Sequence, residues 1–330
     1  MTRKPLIILA GIATILLITV ALLYRKPQSA GHETISARQH VTIAQAGDFY
    51  LYAPLYVAAD KGFFANNGLD VSIVSTGGDE KTWAAVISKN AQFGVADPTF
   101  IAIASQRGQP GKIISTIVNG VPFWGITKNA TIPVIHKPSE LGGYTIATFP
   151  SPSTAYTLQR RMFELGGLSP RIREGAFGSL LALVESGQAD VALELEPNVS
   201  QAVENGYRIV YSLSDLYGDF TITGLTTTPD YIKNNRQEVT ATVKAIRESL
   251  TFLHERPDES ADLLAKRFPE VRRQVAIAAL HRVLAAGIIP RRTDVVEDAW
   301  RKALQLRIDA GDVKQSGNAM DYVDNSFSSQ

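Results

Sequence analysis

From residue 41 onward, short apolar runs alternate with longer stretches in which apolar residues recur at helical spacing. The short runs predict strands at residues 41–44, 69–74, 93–96 and 113–118. The longer stretches predict helices at residues 53–66, 80–89 and 99–107. Strands that alternate with helices of about 10–15 residues are typical of βαβ units, so this part of the chain predicts a parallel sheet covered by helices.

The same pattern begins again near residue 139. It predicts strands at 144–148, 191–193 and 207–211 and helices at 154–165, 179–186 and 199–205. After an apolar strand at 221–226, the chain becomes mainly helical, with stretches at 231–255, 260–268, 271–286 and 294–310. The sequence therefore predicts two α/β units followed by a helical region, and residues 316–330 are expected to form a loosely ordered tail.

The first 27 residues differ from everything that follows them. Arg3 and Lys4 precede residues 6–24, which carry no charged side chain. A basic stretch before an apolar segment is typical of a signal peptide or a signal anchor, and this run is closer in length to a membrane span. We expect residues 1–27 to direct export to the periplasm and residues 28–40 to form a linker. The chain would be tethered to the inner membrane by residues 6–24, or secreted after cleavage near residues 30–31.

The composition excludes several classes of protein. The 33 basic and 32 acidic residues are balanced, so no nucleic-acid partner is expected. The chain has no cysteine, which excludes a cysteine nucleophile and thiolate metal sites, and its five histidines are too far apart to predict a metal site. Neither a Gly-x-Ser-x-Gly motif nor a Ser-His-Asp spacing is present. We therefore predict a protein that is not an enzyme and that uses no cofactor or metal.

One segment carries a family resemblance. Residues 52–64 read Tyr-Ala-Pro-Leu-Tyr-Val-Ala-Ala-Asp-Lys-Gly-Phe-Phe, and residues 68–71 read Gly-Leu-Asp-Val. This segment resembles the opening of periplasmic solute-binding proteins that serve ABC importers for nitrate, sulfonates, taurine and thiamine-pyrimidine precursors. Further matches lie at residues 93–97, 141–143, 151–154 and 196–197, and the likeness extends from about residue 41 to 325.

The resemblance implies a type II periplasmic binding protein fold, an α/β fold in which two lobes joined by two crossover strands close over a solute. The first lobe is expected to be discontinuous, with residues 41–127 and 224–315, and the second to comprise residues 128–223. The resemblance also implies an ABC permease in the inner membrane as the partner, and we expect a monomer. A membrane-tethered ligand sensor with the same fold is the alternative.

Candidate ligand-binding residues lie in the loops that follow the strands, because ligands of open α/β sheets bind beyond the carboxyl ends of the strands. These loops offer carboxylates, aromatic rings and, at the predicted helix start near residue 154, hydroxyl and backbone N–H groups. No arginine or lysine lies in them. The candidates are Asp48, Phe49, Tyr50, Tyr52, Thr76, Gly77, Asp97, Thr99, Asn119, Trp124, Ser151, Ser153, Thr154, Glu194 and Glu196.

Several candidates have an equally good structural interpretation. Asp97 would serve as the cap of the helix that follows it, a role that contributes about 1 kcal/mol. Trp124 would either stack on a planar solute or pack the hinge. Because side chains alternate along a strand, Glu194 and Glu196 point to one side and Leu195 to the other. The two glutamates would therefore either be exposed together or place at least one carboxylate in the cleft.

The acidic character of these loops favours one class of solute. Asp48, Asp97, Glu194 and Glu196 all lie at strand ends, whereas a nitrate or sulfonate site is expected to use cations or many N–H donors. We therefore predict a small, planar, nitrogen-containing solute, such as an aminopyrimidine or an aromatic amine. The resemblance implies that a carboxylate near Glu196 accepts hydrogen bonds from the amino groups of the ring. The alternative is a sulfonate or nitrate bound at residues 151–154.

Overall fold

The computed structural model describes residues 38–314 and 317–328. The predicted signal segment, and the predicted linker as far as residue 37, lie outside these ranges. Within them, no helix combines the length and the apolar character needed to cross a membrane.

The described residues form alternating strands and helices, as the hydrophobic pattern predicts. The strands are β1 (Gln39–Gln45), β2 (Leu69–Ser75), β3 (Phe93–Ala96), β4 (Lys112–Asn119), β5 (Trp124–Thr127), β6 (Ile146–Thr148), β7 (Ile172–Glu174), β8 (Val191–Glu194), β9 (Arg208–Ser212) and β10 (Thr221–Thr227). The helices are α1 (Ala53–Asp60), α2 (Phe63–Asn66), α3 (Asp79–Ile87), α4 (Thr99–Ser105), α5 (Thr154–Leu165), α6 (Leu180–Glu185), α7 (Asn198–Glu204), α8 (Leu213–Tyr217), α9 (Pro229–Asn234), α10 (Arg236–Glu255), α11 (Pro257–Arg267), α12 (Arg273–Ala285) and α13 (Glu297–Asp309). Single 3-10 turns lie at Tyr50–Tyr52, Pro138–Leu141, Ala319–Tyr322 and Asn325–Phe327.

The strands form two five-stranded mixed sheets of related design. The first has the order β2-β1-β3-β10-β4, and the second has the order β7-β6-β8-β5-β9. In each sheet the first three strands in that order are parallel, and the fourth runs antiparallel to its neighbours. The central strands β3 and β8 are buried along their whole length, which explains why they read as continuous apolar runs. This arrangement confirms the predicted α/β fold class.

The chain passes between the two sheets twice. Residues 120–123 join β4 of the first sheet to β5 of the second, and residues 213–220 lead from β9 back to β10. Sheet membership thus assigns Trp124–Thr127 to the second sheet, whereas the predicted division placed these residues in the first lobe. On this basis we propose that the first lobe contains β1 to β4 and β10, and the second β5 to β9.

Strand register brings the loops that follow the parallel strands to one edge of each sheet. β1 and β2 pair from Gln39 opposite Leu69 to Gln45 opposite Ser75, so the two strands end side by side. The loops after β1, β2 and β3 therefore meet at the carboxyl edge of the first sheet. The loops after β6, β7 and β8 meet in the same way at the carboxyl edge of the second.

The C-terminal helices return to the first sheet, and the tail does the same. The α10 helix packs on α1, and α12 is joined to the loop after β1, because the Tyr50 hydroxyl donates to the Ala276 carbonyl at 2.6 Å. In the predicted loose tail, Val323 forms a β-bridge with Ile113, and the buried Trp300 ring donates to the Ala319 carbonyl at 2.8 Å. The expectation of a loose tail is therefore wrong for residues 317–328, which are fixed by backbone pairing and buried aromatic contacts.

Candidate functional site

A cleft of about 300 Å³ opens between the carboxyl edges of the two sheets. The first sheet contributes side chains that follow β1, β2 and β3, and the second contributes those that follow β6, β7 and β8. Links between the sheets and the start of β10 complete the wall. The lining residues are Phe49, Leu51, Tyr52, Asp79, Asp97, Pro122, Phe123, Phe149, Pro150, Ser153, Thr154, Ala155, Phe177, Leu195, Ile222 and Thr223.

Aromatic rings form a continuous row across this cleft. Tyr52 and Phe49 of the first sheet lie with ring centroids 5.5 Å apart, and Phe49 meets Phe177 of the second sheet at 5.9 Å. Phe177 stacks on Phe149 at 6.0 Å with 26° between the ring planes, and Phe149 lies 6.2 Å from Phe123. Such faces and edges bind planar, unsaturated groups. The row spans both lobes, so a solute held by it contacts both.

Glycine at position 47 makes room for one of these rings. The Phe49 ring folds back over its own loop, and a Cβ atom at residue 47 would lie only 3.0 Å from the ring carbon Cε2. A side chain at position 47 would therefore require the Phe49 ring to shift by some tenths of an ångström. The Gly47-Asp48-Phe49 loop positions the ring rather than the Asp48 carboxylate.

Asp97 has all its acceptor positions occupied. One carboxylate oxygen accepts from the Thr99 backbone N–H at 2.8 Å and from the Thr99 hydroxyl at 2.6 Å. The other accepts from the Thr154 hydroxyl at 2.6 Å and from Arg307 Nη2 at 3.0 Å. Arg307 is 1% exposed, and its guanidinium also donates to the hydroxyls of Thr99 and Thr154. Asp97 thus accepts from the first backbone N–H of α4, one residue before the Pro98 N-cap, and also joins the first sheet to α5 of the second.

Asp79 is the second carboxylate of the cleft. It begins α3 directly after the strand-end loop of β2, and one of its oxygens accepts from the Asp97 backbone N–H at 2.9 Å. Burial, with a smaller contribution from the Asp97 carboxylate, raises the pKa of Asp79 to about 6. Asp79 therefore holds its proton to a higher pH than an ordinary aspartate does.

The start of α5 faces the same cleft. The Ser153 hydroxyl accepts from the Tyr156 backbone N–H at 3.2 Å and so caps the helix, as its place before an amphipathic segment predicts. The Thr154 hydroxyl donates to Asp97, as described above. The Tyr52 side chain, on the opposite wall, is buried, and this burial keeps the pKa of its hydroxyl well above the usual range.

The structure brings together five of the predicted site residues in the cleft, namely Phe49, Tyr52, Asp97, Ser153 and Thr154. Thr99 lies directly behind Asp97. The other predicted residues of the first sheet line no part of the cleft. Asp48 is exposed and accepts from Gln45 and Ser75, and Tyr50 is directed towards α12. The Thr76 hydroxyl donates to the Gln45 and Gly78 carbonyls and lies 2.7 Å from the Thr82 hydroxyl, and Gly77 forms the turn there with φ of 83°.

The predicted residues at the crossover and in the second sheet also lie elsewhere. Asn119 donates to Asp219 at 3.1 Å beside the link between the sheets. Trp124 is buried in β5, which agrees with its structural interpretation as a packing residue. The Ser151 backbone N–H donates to Glu174 at 3.0 Å, and Ser151 is exposed outside the cleft.

The Glu194-Leu195-Glu196 segment alternates as predicted, but Leu195 is the residue that faces the cleft. Both glutamates are fully buried behind it. Glu196 accepts from the backbone N–H and the hydroxyl of Ser200, and from Arg282 Nε at 2.7 Å.

Glu194 is bonded much less completely. One of its oxygens accepts from Asn198 at 3.1 Å, and the other is buried with no hydrogen-bond partner. Burial raises the pKa of Glu194 to about 7. Neither glutamate carboxylate is therefore placed to accept from a solute in the cleft.

Asp79, Phe149 and Phe177 line the cleft but were not among the predicted candidates. Asp79 and Phe149 each lie within five residues of a strand end, so the strand-end rule would have included them. Phe177 lies in a glycine-flanked loop, where an aromatic residue has no periodic partner to suggest burial. Arg307, on α13 far along the chain, contacts Asp97 from outside the cleft lining, and no arginine or lysine lines the cleft within the described residues.

Comparisons with known proteins identify the class of protein. The sequence profile of the NMT1/THI5-like family matches residues 51–260, and the chain belongs to this family. The described part of the chain has the periplasmic binding protein fold. It matches the crystal structure of the aliphatic sulphonate-binding protein SsuA from Escherichia coli with a TM-score of 0.69, at 16% identity, over 86% of this chain and 91% of that one.

Two individual proteins are similar to it in sequence. The first is YtlA of Bacillus subtilis (strain 168), which is named as a binding protein and is 26% identical over 220 residues, or 62% of this chain and 64% of YtlA. The second is the riboflavin-binding protein RibY of Chloroflexus aurantiacus (strain ATCC 29366 / DSM 635 / J-10-fl), 24% identical over 265 residues, or 76% of this chain and 72% of RibY. The chain thus spans about two thirds of the length of these relatives.

Proposed function

We propose that this protein is the extracytoplasmic solute-binding component of an ABC importer, and that it closes two lobes over a small, planar, nitrogen-containing solute. It would then deliver that solute to a permease in the inner membrane. The protein acts by binding, without catalysis, and as a monomer. The observation that carries the proposal is the row of aromatic rings to which both sheets contribute.

The geometry of the cleft supports this class of solute. Its volume of about 300 Å³ is at the lower end of the range for ligand pockets, which favours a compact solute of one or two rings. Rings from both sheets would sandwich such a solute, so that binding stabilises the closed arrangement of the lobes. The similarity to RibY supports the planar, nitrogen-containing character of the solute, because that relative is named for riboflavin, but not its small size, since riboflavin has three fused rings.

A sulfonate or nitrate is the second candidate. The start of α5 faces the cleft, and helix starts bind anions through free backbone N–H groups. Against this candidate, no arginine or lysine lines the cleft within the described residues, and the nearby buried Arg307 is bonded to Asp97. An anion would also lie close to Asp79. The acidic and aromatic lining therefore favours the planar solute.

A thermal-shift experiment on the full chain tests the proposal. The probes are riboflavin, 4-amino-2-methylpyrimidine, taurine and nitrate. A ligand present at 100 times its dissociation constant stabilises the fold by about 2.7 kcal/mol, which is readily detected. We expect a shift with one of the two planar probes. A shift with taurine or nitrate alone would favour the second candidate, and no shift with any probe would contradict the proposed solute class.

A matched pair of variants tests the role of the aromatic row. Phe177 and Leu165 are similarly exposed, at 53% and 56%, but only Phe177 lines the cleft. Phe177→Ala should weaken binding of the planar probe by about 5- to 10-fold, as expected for loss of one stacking contact. Leu165→Ala should leave the affinity unchanged. Equal effects of the two substitutions would contradict the role of the row.

Export and tethering belong to the same proposal. The uncharged run at residues 6–24 would hold the protein at the inner membrane, which raises its local concentration at the permease. A membrane-tethered sensor would use the same cleft with a different partner. Solute uptake by cells that lack the protein distinguishes an importer component from a sensor. Uptake should be lost if the protein serves an importer and should remain if it is a sensor.

A further inference from the structure

The two carboxylates of the cleft differ in what they can still bind. Asp97 accepts four hydrogen bonds from Thr99, Thr154 and Arg307, so both of its oxygens are saturated by the protein. Asp79 accepts one, from the Asp97 backbone N–H. Within the described residues, the other backbone N–H that acts on this carboxylate is that of Asp79 itself. The acceptor capacity that the cleft offers to a solute is therefore concentrated on Asp79.

The surroundings of Asp79 compensate its charge only in part, because burial and the Asp97 carboxylate outweigh the effect of Arg307. The charged and titratable groups that face it are Asp97, Arg307 and Tyr52. Arg307 is engaged with Asp97, with Asp312 at 3.2 Å and with two threonine hydroxyls. The Tyr52 hydroxyl stays neutral because it is buried. A carboxylate in such an environment gains most from a positively charged or N–H-donating partner.

We propose that Asp79 is the specificity-determining residue of the cleft, which selects solutes with an N–H donor on their planar ring and rejects anions. The inference rests on the proposed function and deepens it. The aromatic row would recognise the shape of the ring, and Asp79 would recognise its edge. Asp97 would take no part in this choice, because its oxygens already join the two sheets.

The same arrangement makes binding dependent on pH. The pKa of Asp79 is raised to about 6, so the carboxylate is charged above that pH and protonated below it. A protonated carboxyl group loses the charge-assisted hydrogen bond to the donor of the solute. Affinity for an N–H-donating solute should therefore fall as pH is lowered through about 6, while affinity for a solute without the donor should stay level.

A pair of matched ligands and a pair of matched variants test the inference on the full chain by calorimetry. The ligands are 4-amino-2-methylpyrimidine and 4-methoxy-2-methylpyrimidine, which share the ring but differ in the N–H donor. Asp79→Asn keeps the acceptor for the Asp97 N–H and removes the charge. Glu80→Gln removes a charge from the next residue of the same helix end, where the side chain is exposed, and serves as the control.

The wild type should prefer the amino ligand by about 10- to 100-fold, as expected for one charge-assisted hydrogen bond. Asp79→Asn should lose this preference and the pH dependence near 6, and Glu80→Gln should keep both. If the wild type binds the amino ligand and Asp79→Asn binds it equally well, the inference is overturned while the proposed function stands. If the wild type binds both pyrimidines equally well, or binds neither, the inference is overturned, and the thermal-shift experiment with riboflavin decides separately whether the proposed solute class stands.

Discussion

Replacing Glu194 with glutamine should remove a pH dependence from the stability of the fold. Glu194 is fully buried at the end of β8, and one of its oxygens has no hydrogen-bond partner. Burial therefore disfavours the charged form and raises its pKa from 4.5 to about 7. Glutamine has nearly the same shape and retains an acceptor for Asn198, but it cannot ionise.

The magnitude follows from the difference between the two pKa values. A rise from 4.5 to about 7 corresponds to about 3 kcal/mol of unfavourable free energy once the group is charged in both states. Between pH 4.5 and 7 the folded protein holds more protons at this site than the unfolded chain does. The free energy of unfolding thus falls as pH rises through this window, and the loss is complete above about pH 7.

Urea unfolding of the ligand-free wild type and of Glu194→Gln, at pH values from 5 to 8, measures this effect. The difference in stability between the two proteins should change by about 2.5 kcal/mol from pH 5 to 8, in favour of the variant at high pH. The unpaired amide group of the variant adds a loss of about 1–3 kcal/mol that does not depend on pH, so the slope is the informative quantity. Glu270→Gln, at an exposed position, is the control. Parallel pH profiles of the wild type and Glu194→Gln would refute the reasoning.

Two further predictions concern the contacts between the lobes. Arg282 on α12 donates to the fully buried Glu196, so Arg282→Met should weaken solute binding by about 5- to 100-fold in calorimetry. Arg272→Met, which breaks an exposed ion pair of the same interface, should change the affinity less than about threefold. Equal effects of the two substitutions would contradict the role of burial. Thr154→Val removes the hydroxyl that joins α5 to Asp97, and it should weaken the amino and methoxy pyrimidines equally, by about 5- to 10-fold. A loss confined to one ligand would instead assign Thr154 a part in specificity.

The fold was predictable because its elements are visible as local patterns. Buried parallel strands such as β3 read as unbroken apolar runs, and the amphipathic α5 begins at a serine cap. The crossing points were harder to locate. β5 follows β4 after only four residues and is as apolar as its neighbours, so nothing local reveals that it has joined the other sheet. Sheet membership depends on distant pairing, which a single sequence does not display.

The candidate site was predictable in its loops and less so in its side chains. The strand-end rule located Phe49, Tyr52 and the start of α5, because backbone topology alone decides where those loops lie. Alternation of side chains at the end of β8 and just beyond it correctly predicted that Glu194 and Glu196 lie on one side and Leu195 on the other. It does not say which side faces the cleft. Glutamates are usually exposed, so the burial of Glu194 and Glu196 was not expected. The burial of Glu196 depends on its ion pair with Arg282, which is 86 residues away along the chain.

Asp97 and Asp79 have different roles in the cleft: Asp97 connects the two sheets, and Asp79 would determine which solute is bound. At the start of α4, Thr99 alone donates two hydrogen bonds to one oxygen of Asp97, which is as many as a residue at a helix start usually accepts. The two additional bonds, from Thr154 and Arg307, come from α5 and α13, so the second oxygen of Asp97 serves to connect the sheets. Asp79 keeps a free acceptor because it lies outside that network. Substitutions at Asp79 should therefore change which solute is bound, and substitutions in the Asp97 network should change how firmly any solute is held.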